Sequence, residues 1–270
     1  MTATAWQEIG ERVFVLRYAF LDQTIGVVVG RDGVLLVDTR TSHRQGRELL
    51  DDLRHLTALP VQVVVNTHRH SDHCFGNRVF RPATIWGHVR CALGLTETGD
   101  EQRAWLAEAM PDLAADWRAV EIDPPERTFR EAATISIGGR IVELRHLGRG
   151  HTDGDIAITV PDAGVLFAGD LLENGAPPSF GDAYPLDWPA TAAELIPLAV
   201  GPVVPGHGEV ADRSFVERQA AELQATAELV LAVHAGNLPV EEAVALGPLG
   251  PDATRTALER GLSQLAELPP

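Results

Sequence analysis

The sequence predicts an α/β fold, and three observations support that prediction. Strand patterns lead into one helical pattern and back to a strand within the first 65 residues. Val61–Val65, VQVVV, is an apolar run interrupted only at Gln62, read as a strand buried on both faces. Strand patterns return from residue 127 after a helical middle.

The elements follow in order. Val13–Tyr18, 24–29 and 34–38 are short runs rich in Val, Ile and Leu, separated by Gly and Asp turn signals such as GRDG. His43–Leu56 has helical spacing through Leu49, Leu50, Leu53 and Leu56. Pro60 punctuates, Val61–Val65 follows, and 84–87 is a further short strand. Residues 89–118 read as helices interrupted at Gly94 and Gly99. Strands are predicted at 128–130, 133–137, 140–146, 155–160 and 165–168, with SIGGR and VPDAGV as hairpin turns. Residues 171–187 are rich in Gly, Pro and Asn, the mark of a long functional loop. A helix at 188–198 starts with Asp187 as its cap and Pro189 in the first turn. A strand at 202–205 and helices at 215–234, 239–246 and 252–266 complete the chain. With no repeat and no linker, residues 1–270 read as one domain, and helices within 212–270 either cap it or build a homodimer interface.

Composition narrows the function. Hydrophobic residues make up 45% and charged residues 22%, as in a soluble enzyme and not a disordered chain. No basic-then-apolar leader and no run of 18 apolar residues appears, so neither a signal peptide nor a membrane helix is expected. Two cysteines, Cys74 and Cys91, make no disulfide framework, which fits a reducing cytoplasm. A formal charge of −16 argues against nucleic acid and anionic membranes as partners and leaves a small-molecule substrate.

The chemistry concentrates after VVVNT. His68, His70, Asp72 and His73 fall within six positions at the carboxyl end of a buried strand, where α/β sheets hold ligands. In extended chain His68 and His70 point the same way, and a turn then presents Asp72 and His73 to a neighbouring position. Imidazole suits zinc, and a carboxylate neutralises charge. His151 in GRGHTDGD, Asp170 in LFAGD and His207 in VVPGHG each follow an apolar strand and sit beside glycine.

HRHSDH, GHTDGD, AGD and PGHG, in this order, resemble the metallo-β-lactamase superfamily over residues 13–207. The resemblance implies an αβ/βα sandwich: two mixed β-sheets between helix layers. It implies that His68, His70 and His151 hold one metal, that Asp72, His73 and His207 hold a second, and that Asp170 bridges them. Asp38 would brace the ligand loop from behind. The expected cofactor is two Zn²⁺ ions, with Fe or Mn as alternatives. A shared hydroxide would be the nucleophile, with Asp72 orienting it and carrying a proton.

A bridging Asp170 resembles the glyoxalase II and lactonase branch more than the β-lactam-cleaving members, which carry Cys or Ser there. His70 stands where flavodiiron proteins have Glu. Cys74 and Phe75 depart from glyoxalase II, which prefers small residues after the DH pair, and no basic cluster for glutathione is evident. The leading expectation is hydrolysis of an ester, thioester or lactone. The alternatives are a β-lactam hydrolase and a mononuclear iron dioxygenase of the persulfide dioxygenase type. In the 171–187 loop and at Trp188, Phe180, Tyr184 and Trp188 either wall the site, with the Tyr184 hydroxyl serving an oxyanion, or pin the loop to the core. Trp86, His88 and Cys91 read as core, Cys74 as an inert buried thiol, and the 89–118 helices as a cover over the cleft.

Overall fold

A computed structural model describes residues 5–267. The amino-terminal half contains β1 (Gln7–Gly10), β2 (Val13–Tyr18), β3 (Gln23–Val29), β4 (Val34–Val37), α1 (His43–Leu56) and β5 (Val61–Val65). It continues with α2 (Ser71–Cys74), β6 (Thr84–His88), α3 (Val89–Ala109), α4 (Ala114–Arg118) and β7 (Arg127–Phe129). The second half contains β8 (Ala132–Ile137), β9 (Arg140–Arg145), β10 (Ala157–Val160), β11 (Val165–Glu173), α5 (Trp188–Ala193) and β12 (Val203–His207). Helices α6 (Arg213–His234), α7 (Val240–Leu246) and α8 (Pro251–Ala266) follow.

Among the described residues, hydrogen bonds link twelve strands, ten in the path β7-β6-β5-β4-β3-β12-β11-β10-β9-β8 and two off it, with β2 beside β3 and β1 beside β2. The link between the halves is a single pair, His207 opposite Gln23. Each side of that hinge is a mixed sheet, parallel from β4 to β7 and between β11 and β12, antiparallel elsewhere.

Side-chain alternation builds the layers. On β3 and β4, Ile25, Val27, Val34 and Leu36 face α1, packing with Leu49 and Leu53. Val28, Leu35 and Val37 face the other way and meet Ile158, Val165 and Phe167 of the second sheet. The outer face of the second sheet is covered by α5, α6 and α8 through Trp188, Ala192, Val216, Leu223 and Ala257. Helix, sheet, sheet, helix is the sandwich that the resemblance implied. Burying Leu49 and Leu53 is worth about 1.5–3 kcal/mol each relative to exposure. Ser42 fixes where α1 starts, its side chain accepting from the Gln45 amide.

The structure departs from the expected elements in four places. Helix α3 runs unbroken through Gly94 and Gly99. Those glycines make room: a Cβ at Gly94 would strike the Arg69 side chain, and one at Gly99 would crowd Ile122. The break comes instead at Met110–Pro111, where proline lacks the N–H a continuing helix needs. Strand β11 extends to Glu173, so the loop is shorter at its start than expected and runs over 174–187. The helix expected at 188–198 ends at Ala193 and is followed by a single 3₁₀ turn, Ile196–Leu198. Strand β1, whose residues show little alternation, was not expected.

Candidate metal centre

The ligand segment is held in place before it reaches the site. Asp38 follows β4 in a left-handed backbone conformation, φ 64°, that non-glycine residues rarely adopt. Its amide donates to Val65 O, locking it to the end of β5. From there Asp38 Oδ1 accepts from the Thr67 amide at 2.8 Å, and Oδ2 accepts from the Thr67 hydroxyl and from His73 Nδ1, both at 2.8 Å. His70 is the extended residue before the one-turn helix α2, which carries Asp72 and His73. Gln23 Nε2 donates to the carbonyl of Asp72, tying α2 to β3.

The chain brings all seven expected ligand residues together. His68 Nε2 and His151 Nε2 stand 3.1 and 2.8 Å from His70 Nδ1. Asp72 Oδ2 lies 3.3 Å from His73 Nε2 and 3.1 Å from His207 Nε2. Asp170 lies between the two groups. Its Oδ1 is 3.3 Å from His73 Nε2, and its Oδ2 is 3.3 Å from His207 Nε2, 3.5 Å from His151 Nε2 and 3.7 Å from His68 Nε2. Asp170 reaches this point because β11 bulges at Gly169, φ 54°, and because Gly206 has no Cβ to collide with the carboxylate.

Every imidazole has its outward nitrogen anchored on an oxygen. His73 Nδ1 donates to Asp38, His207 Nδ1 to Leu21 O at 2.7 Å, and His151 Nδ1 to Ser179 O at 3.2 Å. His68 Nδ1 donates to the Thr67 hydroxyl at 3.1 Å, and His70 Nε2 to the Asp182 carboxylate at 3.1 Å. The remaining five nitrogens converge on one another and on Asp72 and Asp170, the orientation a metal needs.

Electrostatics divide the rings. Burial holds His68 well below its ordinary pKa, and burial with nearby His70 lowers His151 to about 4. Those two rings stay neutral lone-pair donors. Burial also opposes charge on His73 and His207, but Asp170 and Asp72 outweigh it: His73 rises well above its usual range and His207 to about 11. Burial opposes ionisation of Asp72 and Asp170 too, yet the neighbouring histidines hold both well below the carboxylate range. His73 Nε2 and Asp170 Oδ1 are fully buried with no hydrogen-bond partner. Such orphaned atoms are costly unless a cation joins them. Donor sets of His68, His70, His151 and of Asp72, His73, His207 each lie within 4.8 Å, so the residues fit a metal pair.

Other expected residues fall elsewhere. Phe180 and Trp188 are buried against each other, ring centroids 5.2 Å apart, and pin the 174–187 loop; the Trp188 edge also backs His151. The Tyr184 ring lies between the guanidiniums of Arg149 and Arg260, 4.4 and 5.5 Å away, and does not join the ligand cluster. His88 stacks on His146, and Cys74 and Cys91 are buried and free. Trp86 is half-buried against the layer between the sheets.

Two residues at the site escaped the sequence. Asp182 sits in a Gly-rich loop where a lone acid carries no periodic signal, yet it grips both His70 and Arg69. Glu173 was placed in the loop, but as the last residue of β11 its buried carboxylate lies within 4.8 Å of the His151 and Asp170 donors. Burial and the nearby Asp170 raise Glu173 to about 8.

The family model "Metallo-beta-lactamase superfamily" matches residues 19–207. A metallo-beta-lactamase type 2 of Bacillus cereus is 26% identical over 190 residues, covering 68% of this chain and 66% of its own. The acyl-coenzyme A thioesterase MBLAC2 of Bos taurus is 27% identical over 236 residues, covering 77% and 83%. Among solved structures, a double mutant of the sec-alkyl sulfatase PisA1 superposes with TM-score 0.76 at 16% identity, over 98% of this chain and 50% of its own. The chain thus spans about two thirds of the Bacillus relative and half of the sulfatase. With the family model covering most of its length and the motif residues gathered at one centre, the chain belongs to the metallo-β-lactamase superfamily.

Proposed function

We propose that this protein is a metal-dependent hydrolase that cleaves an ester, thioester or lactone of a small molecule. The observation that carries this is the pair of three-donor sets sharing Asp170. His68, His70 and His151 would hold one metal, Asp72, His73 and His207 the other, and Asp170 would serve both. Three imidazoles with one carboxylate at the first site, and two imidazoles with two carboxylates at the second, suit zinc, and Fe or Mn are the alternatives. When bound, such a pair lowers the pKa of water towards neutrality and polarises a scissile carbonyl.

The chain's own residues do the rest. Asp72 Oδ2 faces His73 and His207, which leaves Oδ1 to orient the attacking water and accept its proton. Asp38, Leu21, Ser179 and Asp182 keep the ligand rings from rotating, so the site is organised before substrate arrives. Two donor sets, and not one, weigh against the mononuclear iron reading. A β-lactam hydrolase remains a second reading, favoured by the 190-residue similarity to the Bacillus relative.

A substrate panel tests the proposal. Metal-loaded protein should cleave at least one ester, thioester or lactone, and chelator should abolish that turnover. Preference for a β-lactam over all three would favour the second reading. Full turnover after complete metal removal would refute both.

A further inference from the structure

Beside the ligand cluster a cavity of about 700 Å³ opens between α2, the carboxyl-terminal half of α3 and the 174–187 loop. It shares His70 and Asp72 with the space directly over the cluster, so the two spaces adjoin at the ligand residues. Its lining includes Trp105, which is 66% exposed although it is among the largest apolar side chains in the protein. An indole left in water at the mouth of a reactive cleft has apolar surface to offer a ligand.

The charges at this mouth are as informative. Among the described residues lining the cavity, Arg69 is the one permanent cation. Both arms of its guanidinium are taken, by Asp153 and Asp182 at 2.6 Å each, and its side chain is 13% exposed. Gly94 leaves the space in which this side chain lies. Glu101, exposed on the same face of α3, and Asp182 add negative charge. Gln102 fixes the α3 wall to the ligand turn, its Oε1 accepting from the Ser71 amide at 2.9 Å.

We propose that this cavity is the substrate's side-chain subsite and that it selects a neutral substrate with an aromatic or alkyl group laid on Trp105. Polyanionic substrates such as coenzyme A thioesters are disfavoured because neither this wall, with Glu101, nor the adjoining space over the cluster, lined by Asp22 and Glu173 and, among the described residues, by no Lys or Arg, gives phosphates a free cation. The inference rests on the hydrolase reading for its substrate, but its binding component does not depend on turnover.

Two measurements test it. The first titrates N-phenethylacetamide, a neutral amide, into zinc-loaded wild-type and Trp105→Ala protein by ligand-observed NMR. Saturable binding that weakens about three- to tenfold in the variant is expected, the worth of one aromatic contact. No binding to wild type, or equal binding to both, overturns the subsite. The second compares phenylacetyl-N-acetylcysteamine with phenylacetyl-coenzyme A, which share the acyl group and the sulfur leaving arm. The neutral thioester is expected to have a kcat/KM about tenfold higher, with Glu101→Arg narrowing the gap. An equal or better rate with the coenzyme A thioester overturns the charge selection. Absence of cleavage of any ester, thioester or lactone sinks the hydrolase reading alone, and the amide titration still decides the subsite.

Discussion

Asp182 accepts a hydrogen bond from His70 Nε2 and holds Arg69 with the same carboxylate, so removing its charge acts on two neighbours at once. Asp182→Asn is expected to weaken metal binding about 10–100-fold, the usual cost of losing a carboxylate behind a ligating histidine. Competition against a chromophoric chelator reads this directly, and unchanged affinity would remove Asp182 from the centre. A second residue-scale prediction concerns pH. Burial, reinforced by stacked His146, lowers His88 to about 4. The unfolded ring titrates near 6.5, so the folded state favours the neutral form. Its contribution to stability is therefore present above about pH 6.5 and is lost as pH falls towards 4. His88→Gln should lose less stability than wild type between pH 7 and pH 5 in thermal unfolding; parallel losses would show that His88 does not titrate as inferred. At this scale the sequence was most legible where chemistry was dense. His68 to His73 announced themselves by spacing. Asp182 did not, because a single acid in a loop becomes meaningful only when folding sets it against His70.

At the scale of elements, the two sheets meet where Gly26 of β3 faces the Phe167 ring of β11, and a Cβ on Gly26 would overlap that ring. Gly26→Ala replaces a residue disfavoured in strands, so propensity alone predicts a gain. The packing predicts a loss of about 1–3 kcal/mol from overfilling, partly recovered by adding Phe167→Leu. Denaturant unfolding of the single and double variants decides between them. Gly94 and Gly99 carry the same lesson. Periodicity located His43–Leu56 and Val61–Val65 to the residue, but burial on both faces was overestimated for the strand: Val64 and Val65 are buried, Val61 and Val63 only partly, and Gln62 is exposed. It misread the two glycines of α3 as breaks, because what they accommodate, Arg69 and Ile122, arrives from elsewhere in the chain. It also ended β11 early, because Gly169-Asp170 has the composition of a turn while the structure uses it as a bulge inside a strand.

Across the whole molecule, the halves join edge to edge at one residue pair, and the ligand cluster lies at that hinge. His68, His70, Asp72 and His73 come from the first half, and His151, Asp170 and His207 from the second. Metal should therefore act as a clasp between sheets as well as a catalyst. Ligand at 100 times its Kd stabilises by about 2.7 kcal/mol, which for a chain of this size raises Tm on the order of 5 °C. A metal-free protein melting at the same temperature as the loaded one would show that the halves hold together without it. The αβ/βα arrangement was legible from the motif order, whereas the single-pair hinge was not, because no local pattern encodes how two sheets meet.

Metal quantitation on purified protein, paired with turnover before and after chelation, tests the central assignment most directly. Wild type should carry two divalent ions per chain, most simply zinc, and lose ester, thioester or lactone cleavage with them; Asp170→Ala should lose metal and activity together. One iron per chain, or full activity in metal-free protein, would contradict it.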